Sequence, residues 1–388
     1  MKFLKKFIKR FLIFFLSLIV LLYIFDYDYI IKAVRTVYMQ GHITAFLEDY
    51  EEFDNRKIET GSFIDEWPIH TSYNTAQVTP ELQKLHNKYN TVAFLIIKND
   101  SIWHEEYYDG FNKNSKTNSF SMAKTIISAL MERAIMDGYI ESLEQPVGDF
   151  FPEFSKGLNA ELTVGDLSSM SSGLNWDENY YSPFSITTRA YFDENLRDVI
   201  LGLKVTSEPG KEYKYLSGNT QLLGMVIEKA TGKTLSENLS EKFWKPLGCK
   251  NTALWQVDSK EGGLEKAYCC IASNARDFAR FGRLYKCKGY WNGEKLLEPS
   301  FVELSTKPRF EETPYYGYGL WLSDYKNKDI YYLRGHLGQY VIVIPEDDII
   351  IVRLGEGCQR VGTRAHGSDF YGYIDEAYKM LETLNNKQ

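Results

Sequence analysis

The sequence predicts an α+β fold. An antiparallel sheet is assembled from the N- and C-terminal segments of the body, flanked by helices, with a helical region inserted between them. Two observations carry this expectation. β-Branched and aromatic strand signals stand at both ends of the body, at 91–108 and 331–354, while helical periodicity dominates the stretch between. The chain has 388 residues and is 44% hydrophobic, enough to bury the core of one large domain or of two intertwined ones.

The N-terminus stands apart. Lys2, Lys5, Lys6, Lys9 and Arg10 precede an apolar run from Phe11 to Phe25 that closes at Asp26. Basic flank and apolar run together read as a segment 1–25 that stays inside and inserts, a signal peptide or a short anchor. No A-x-A-like cleavage site follows, which favours the uncleaved anchor and an exported body. The run is 15 residues, shorter than the roughly 20 of a comfortable span. Residues 26–75 read as a connecting region, amphipathic to about Tyr50 and then irregular. The catalytic body is expected over 76–388.

Along that body, Thr91 to Tyr108 reads as two strands around Asn99-Asp100, a hairpin signal. The apolar run beginning in FSMAKTIISALMERAIMDGYI follows as a helix. Val147 to Phe154 reads as a loop holding Pro152, and Leu162 to Leu174 as a helix ending near Gly173. Asn175 to Glu194 has no clean period and reads as a long aromatic loop, a lid or substrate wall if it borders a site. Gln221 to Thr231 is helical up to Gly232, and Ala272 to Leu284 is an amphipathic helix. Tyr331–Leu333, Tyr340–Ile344 and Ile349–Leu354 are strands, with a turn at 345–348 between the last two. The tail from Asp369 to Leu384 is helical.

Composition narrows function. Beyond the first ten residues, 40 Lys and Arg face 52 Asp and Glu, a balance of −12, which argues against nucleic acid as a partner. The five cysteines (249, 269, 270, 287, 358) match no zinc spacing. Adjacent cysteines rarely bond, so Cys269 and Cys270 read as small buried apolar side chains. There is no P-loop, dinucleotide fingerprint or G-x-S-x-G elbow. His104-Glu105-Glu106 lacks the second histidine of a metalloprotease, since position 108 is Tyr108. No metal or organic cofactor is implied.

Chemistry enters at Ser121-Met122-Ala123-Lys124. A serine three residues before a lysine at the front of a helix places hydroxyl and amine on one face, where the amine can take the hydroxyl proton. Downstream, in order, stand Tyr215-Leu216-Ser217-Gly218-Asn219 after the Pro209-Gly210 turn, and His336-Leu337-Gly338-Gln339 between two strand candidates.

S-x-x-K, then Y-x-S, then H-x-G resembles the beta-lactamase-related serine hydrolases, a superfamily of class C beta-lactamases, D-alanyl-D-alanine carboxypeptidases, D-aminopeptidases, esterases and nylon-oligomer hydrolases. LTVGDLSSMSSGLNW and NARDFARFGRL resemble further family segments, and the likeness spans roughly 75–385. The resemblance implies a beta-lactamase/transpeptidase-like fold, with Ser121 as nucleophile and Lys124 and Tyr215 as general base and acid. It also implies an oxyanion site at the backbone N–H groups of Ser121 and Gln339. His336 and Gly338 would line the site, with Ser217 and Asn219 in the second motif beside it. Trp176 and Asp177 are placed either to contact substrate or to pack at the surface. Two departures shift the substrate class. The third motif opens on His336 where lactam-hydrolysing members carry lysine, and Ser217 replaces the usual asparagine. A mostly neutral histidine offers no fixed charge to a substrate carboxylate, so an ester or amide of a small molecule or peptide is expected ahead of a lactam. The alternative from another class is a non-catalytic or slowly deacylating penicillin-binding-type protein that holds cell-wall peptide.

Overall fold

The computed structural model describes residues 2–260, 263–359 and 366–385. Helix α1 (Lys2–Ile24) is continuous through the basic cluster and the apolar run, buries no residue, and is long and apolar enough to cross a membrane. After four residues the chain docks through helix α2 (Tyr29–Thr36), which buries Tyr29, Ala33 and Thr36. Strand β1 (Asn55–Ile58) follows. The segment 26–75 therefore does more than connect, since Leu47, Ile58 and Trp67 belong to the main core.

Helix α3 (Pro80–Lys88), capped by Thr79, precedes strands β2 (Thr91–Lys98) and β3 (Ser101–Tyr107). The turn between them puts Asn99 and Asp100 at φ of 50° and 55°, the left-handed pair that the hairpin signal required. Strand β4 (Thr117–Asn118) leads into a 3-10 turn (Phe120–Met122) and helix α4 (Ala123–Met136). Ser121 thus sits in the tight turn ahead of the α-helix.

The expected helix over 162–174 is much shorter, α5 (Val164–Ser168). A Thr163/Asp166 capping box starts it. The serine hydroxyls of Ser169 and Ser171 then bond back to Gly165 and Asp166, and Met170 at φ 59° turns the chain out. Conversely, the aromatic segment 175–194 is not wholly a loop. It ends in helix α6 (Ile186–Phe192), which Ser185 caps. Helices α7 (Leu196–Leu201), α8 (Ser217–Thr231, closed by Gly232 in the left-handed region) and α9 (Leu235–Leu239) complete the inserted region.

Strands β5 (Ala253–Gln256) and β6 (Ile271–Ser273) return toward β4, and helix α10 (Ala275–Lys286) follows. A two-stranded ribbon, β7 (Tyr290–Trp291) and β8 (Glu294–Lys295), and helix α11 (Pro299–Ser305) come next. The C-terminal strands are β9 (Trp321–Ser323), β10 (Ile330–Gly335), β11 (Gln339–Ile344) and β12 (Ile349–Gly355), and helix α12 (Ser368–Asn385) closes the chain.

The main sheet is antiparallel in the order β3-β2-β12-β11-β10-β9, so N- and C-terminal segments meet at β2 and β12. Both faces are covered. Leu95, Ile97, Val341, Val343, Ile350 and Val352 point toward α10 and the helical region. Phe94, Ile96, Ile342, Ile344, Ile349 and Ile351 point toward α3 and α12. This alternation is the period-2 pattern of a sheet buried twice. A smaller sheet, β1-β5-β6-β4, carries the approach to Ser121.

Cys269 and Cys270 are bonded to each other, contrary to the expectation of two separate thiols. Cys270 lies at φ 75°, and this left-handed turn brings the second side chain back beside the first.

At Gly282 in α10 an added Cβ would stand 2.8 Å from Val341 Cγ1 and 3.1 Å from Val343 Cγ2. Gly282→Leu is expected to lift the helix off the sheet and cost about 1–3 kcal/mol, measured as a lowered unfolding midpoint of the full chain.

Candidate active site

The three sequence motifs converge. Lys124, on the first turn of α4, is buried, and its Nζ stands 2.9 Å from Ser121 Oγ and 2.9 Å from the Tyr268 carbonyl. Burial pulls its pKa from 10.5 down to about 8, and the Glu178 carboxylate pulls the other way. Once neutral, the amine can give one hydrogen to Tyr268 O and turn its lone pair to the Ser121 hydroxyl. The Tyr215 and Tyr268 rings flank Nζ at 5.1 and 5.7 Å from their centroids.

Tyr215 lies just ahead of α8. Burial raises its phenol. The Ser121 hydroxyl, as hydrogen-bond partner, lowers it, Glu178 raises it and Arg334 lowers it. Its ring sits against Trp321, 5.2 Å between centroids.

The turn holding Ser121 is built under constraint. Phe120 takes φ 44°, unusual for a bulky residue and costing about 1–3 kcal/mol. Asn118 holds it there. Its Oδ1 accepts from Phe120 N at 2.7 Å while its Nδ2 donates to Asp49 at 2.8 Å. Asp49 also accepts from Tyr191 and Gln256 at 2.6 and 2.9 Å. Ser119 links the turn to β6 through Ile271 at 3.1 Å. Gly335 lets β10 close in, since a Cβ there would lie 2.4 Å from the Ser119 carbonyl.

The third motif forms a tight corner between β10 and β11. His336 lies edge-on to Phe120, stacks on Tyr180 with 5.5 Å between centroids, and shares a 3.4 Å contact with Thr44 Oγ1. It lines the cavity above Ser121 as expected. Gly338 (φ 78°) is needed for a different reason than room for substrate. A Cβ there would lie 2.6 Å from Arg353 Nη1 and 2.9 Å from Cys358 Cβ. Arg353, fully buried, donates to the carbonyls of Leu337, Gly338 and Gly357 at 2.8–2.9 Å and so fixes the corner. The Gln339 side chain is also consumed by structure, donating to His336 O and Gly355 O at 2.9 and 2.7 Å, so any role at the site falls to its backbone.

Other sequence-derived candidates lie nearby in supporting positions. Ser217 lines the cavity, but its N–H and hydroxyl donate to Glu178 at 2.7 and 2.5 Å. Glu178 thereby covers the N-terminal turn of α8, and Tyr180 also donates to it. Asn219 is buried, accepting from Ser172 at 2.5 Å and facing Met170. Trp176 is buried against Gly218, where a Cβ would approach its ring to 2.5 Å. Asp177 is exposed, and its carbonyl accepts from Thr187 at 2.5 Å. Neither Trp176 nor Asp177 lines the cavity. Sequence reasoning missed Glu178, Arg353, Asn118, Asp49 and Tyr268, and gave Arg334, at the head of the third motif, no role. Among the described residues no cluster of side chains suits a metal.

The Beta-lactamase family model matches residues 77–366. The chain belongs to the Beta-lactamase family. Its sequence is similar to a 6-aminohexanoate-dimer hydrolase of Paenarthrobacter ureafaciens, 26% identical over 234 residues, 58% of this chain and 59% of that protein. It is also similar to Protein flp of Staphylococcus aureus strain MW2, 25% identical over 191 residues, 46% of this chain and 37% of that one. The chain thus spans less than two thirds of the length of either curated relative. The fold is shared with a structure provisionally named a 6-aminohexanoate-dimer hydrolase from Bacillus anthracis. It has a TM-score of 0.70 and 20% identity, covering 87% of this chain and 92% of that one. An octameric penicillin-binding protein homologue from Pyrococcus abyssi shares it too, with a TM-score of 0.58 and 17% identity, covering 77% and 76%. This Beta-lactamase family member accordingly has a beta-lactamase/transpeptidase-like fold.

Lys124 should titrate near about 8, and Glu178→Gln should move that midpoint lower, because the carboxylate it removes favours the ammonium. Lysine side-chain NMR of the full chain against pH reads this directly, and an unchanged or raised midpoint contradicts it.

Proposed function

We propose that the protein is a serine hydrolase that cleaves an ester or amide of a small molecule or peptide through an acyl-enzyme at Ser121. The observation that carries this is the buried Lys124 amine, 2.9 Å from Ser121 Oγ, where burial lowers the pKa to about 8. Lys124 takes the Ser121 proton as Oγ attacks the carbonyl carbon. Tyr215, bonded to Ser121, passes a proton to the leaving group, with Arg334 nearby to ease its brief charge. The carbonyl oxygen, now negative, is held by the backbone N–H groups of Ser121 and Gln339, which the strained turn and the Arg353-braced corner present to it. Water then releases the acid and restores Ser121.

The relative named as a 6-aminohexanoate-dimer hydrolase supports an amide or ester substrate without committing to which. One observation favours a second reading, the slowly deacylating penicillin-binding-type protein. Where His336 lacks a fixed charge, Arg334 in the neighbouring groove supplies one that a carboxylate could meet. In either case α1 serves as a membrane anchor. Its basic end stays on the cytoplasmic side and the body lies outside.

Ser121→Ala should abolish turnover and labelling by a fluorophosphonate while the unfolding midpoint is kept, checked by intact mass. Retained turnover would end the proposal. Protection of Ser121 by penicillin would move the assignment to the penicillin-binding reading. The rate should rise with pH through about 8 and level off above it. A lysine depressed to that value is charged below it, and only about one molecule in ten carries the neutral base at pH 7. A pH profile of kcat/KM that falls across this range would contradict Lys124 as base.

A further inference from the structure

A cavity of about 290 Å3 opens directly above Ser121, at the small end of the range for ligand pockets. Its inner end holds Ser121, Ser217 and His336. Another wall is made by Ile30, Ala33 and Val34 of α2 and Val37 just after it, together with Tyr181 and Phe192. Among the described residues no Asp, Glu, Lys or Arg side chain lines it. On the far side of Thr44, Tyr180 and His336 lies a second, larger groove of about 730 Å3, which contains Arg334 and Glu356. The nucleophile therefore stands at the foot of an apolar pocket that shares one wall with a polar groove.

The apolar wall is also the part of the body nearest to α1. The span ends at Ile24, and Tyr29 is already buried, its hydroxyl bonded to Pro183 O at 3.0 Å. Asp26 pairs with Arg189 of α6, and the Tyr27 ring meets Phe184. Five residues of chain reach at most about 17 Å, so the pocket rim lies close to the bilayer surface whatever the tilt of α1. That rim is apolar and open: Tyr38 and Ile43 of its lining, and Phe25, Met39 and Phe184 on the same segments of chain beside it, are each more than half exposed. Such a concentration is uncommon on a surface facing water alone and suits the membrane interface.

We infer that the substrate is a membrane-resident amphiphile, an ester or amide of an apolar acyl chain, whose chain enters between α2 and α6 while its polar part lies in the Arg334 groove. This rests on the serine hydrolase reading and names its substrate class. Ser121 Oγ bonds to the acyl carbonyl carbon as the bond to the polar part breaks, and that part departs with the proton. Water then cleaves the acyl-enzyme, giving the carboxylic acid and free Ser121.

The test uses the full chain in lipid nanodiscs with p-nitrophenyl acetate, butyrate, octanoate and laurate. A buried methylene contributes about fourfold in binding, so kcat/KM should rise at least about tenfold from acetate to octanoate. Val34→Trp, at a position open enough to accept the ring (43% exposed), should lower the octanoate-to-acetate ratio about tenfold. A flat or falling series from an enzyme that labels at Ser121 overturns this inference and leaves the serine hydrolase reading standing. Absence of both turnover and labelling ends that reading instead. The pocket is then judged by fluorescence of dansyl-labelled undecanoate with the Ser121→Ala chain. Saturable binding weakened by Val34→Trp supports an acyl site, and no binding overturns it.

Discussion

Taking a lysine ammonium out of water is costly, and most of what surrounds Ser121 follows from managing that cost at Lys124. The amine keeps two polar partners, a serine oxygen and a backbone carbonyl, and otherwise meets aromatic faces. These are enough to hold it in either protonation state, so its pKa falls only partway. Glu178 sets how far. From the segment before α6 it accepts from Ser217 at the start of α8, and its field reaches Lys124, Tyr215 and Tyr268 alike. One carboxylate therefore couples the cap of a helix to the poise of the whole site.

Backbone strain gathers in the same place. Phe120, Leu337 and Cys270 all adopt positive φ within the walls of the site, and Met170 does so in the turn beneath it. At two of these corners the holding network reaches far along the chain. Asn118 and Asp49 hold Phe120, and Arg353 holds the corner at Leu337. The main sheet and the smaller four-stranded one are the frames from which these short corners project.

The sequence made legible whatever repeats with a period or depends on a local turn. The hairpin at Asn99-Asp100, the C-terminal strands and the helix closed by Gly232 lie where the pattern put them, whereas the helix read from Ala272 begins only at Ala275, because 271–273 pair as β6. The motifs carrying Ser121, Lys124, Tyr215 and His336 were readable through their order along the chain. What escaped was set by distance. The length of α5 was decided by serine hydroxyls competing for its backbone, and α6 was hidden by aromatic residues that blur a helical period. The bond between Cys269 and Cys270 depends on one left-handed residue. Ser217, Gly338 and Gln339 were found for the right neighbourhood, yet their side chains or missing side chain serve Glu178, Arg353 and the strand corner, relationships with no local signature.

The contribution of the N-terminal segment bears on what counts as the smallest working unit. All three motifs lie beyond residue 120, and a reader trimming the chain to its family-matched region would begin near residue 77. That fragment would lack β1, one edge of the small sheet, and Asp49, the acceptor that orients Asn118 behind the Ser121 turn. It would also lack the wall that α2 gives the cavity. Motif content and the architecture that holds it are thus separable in this chain: the motif letters are encoded late, while part of the bracing that brings them together is supplied by the segment that follows α1.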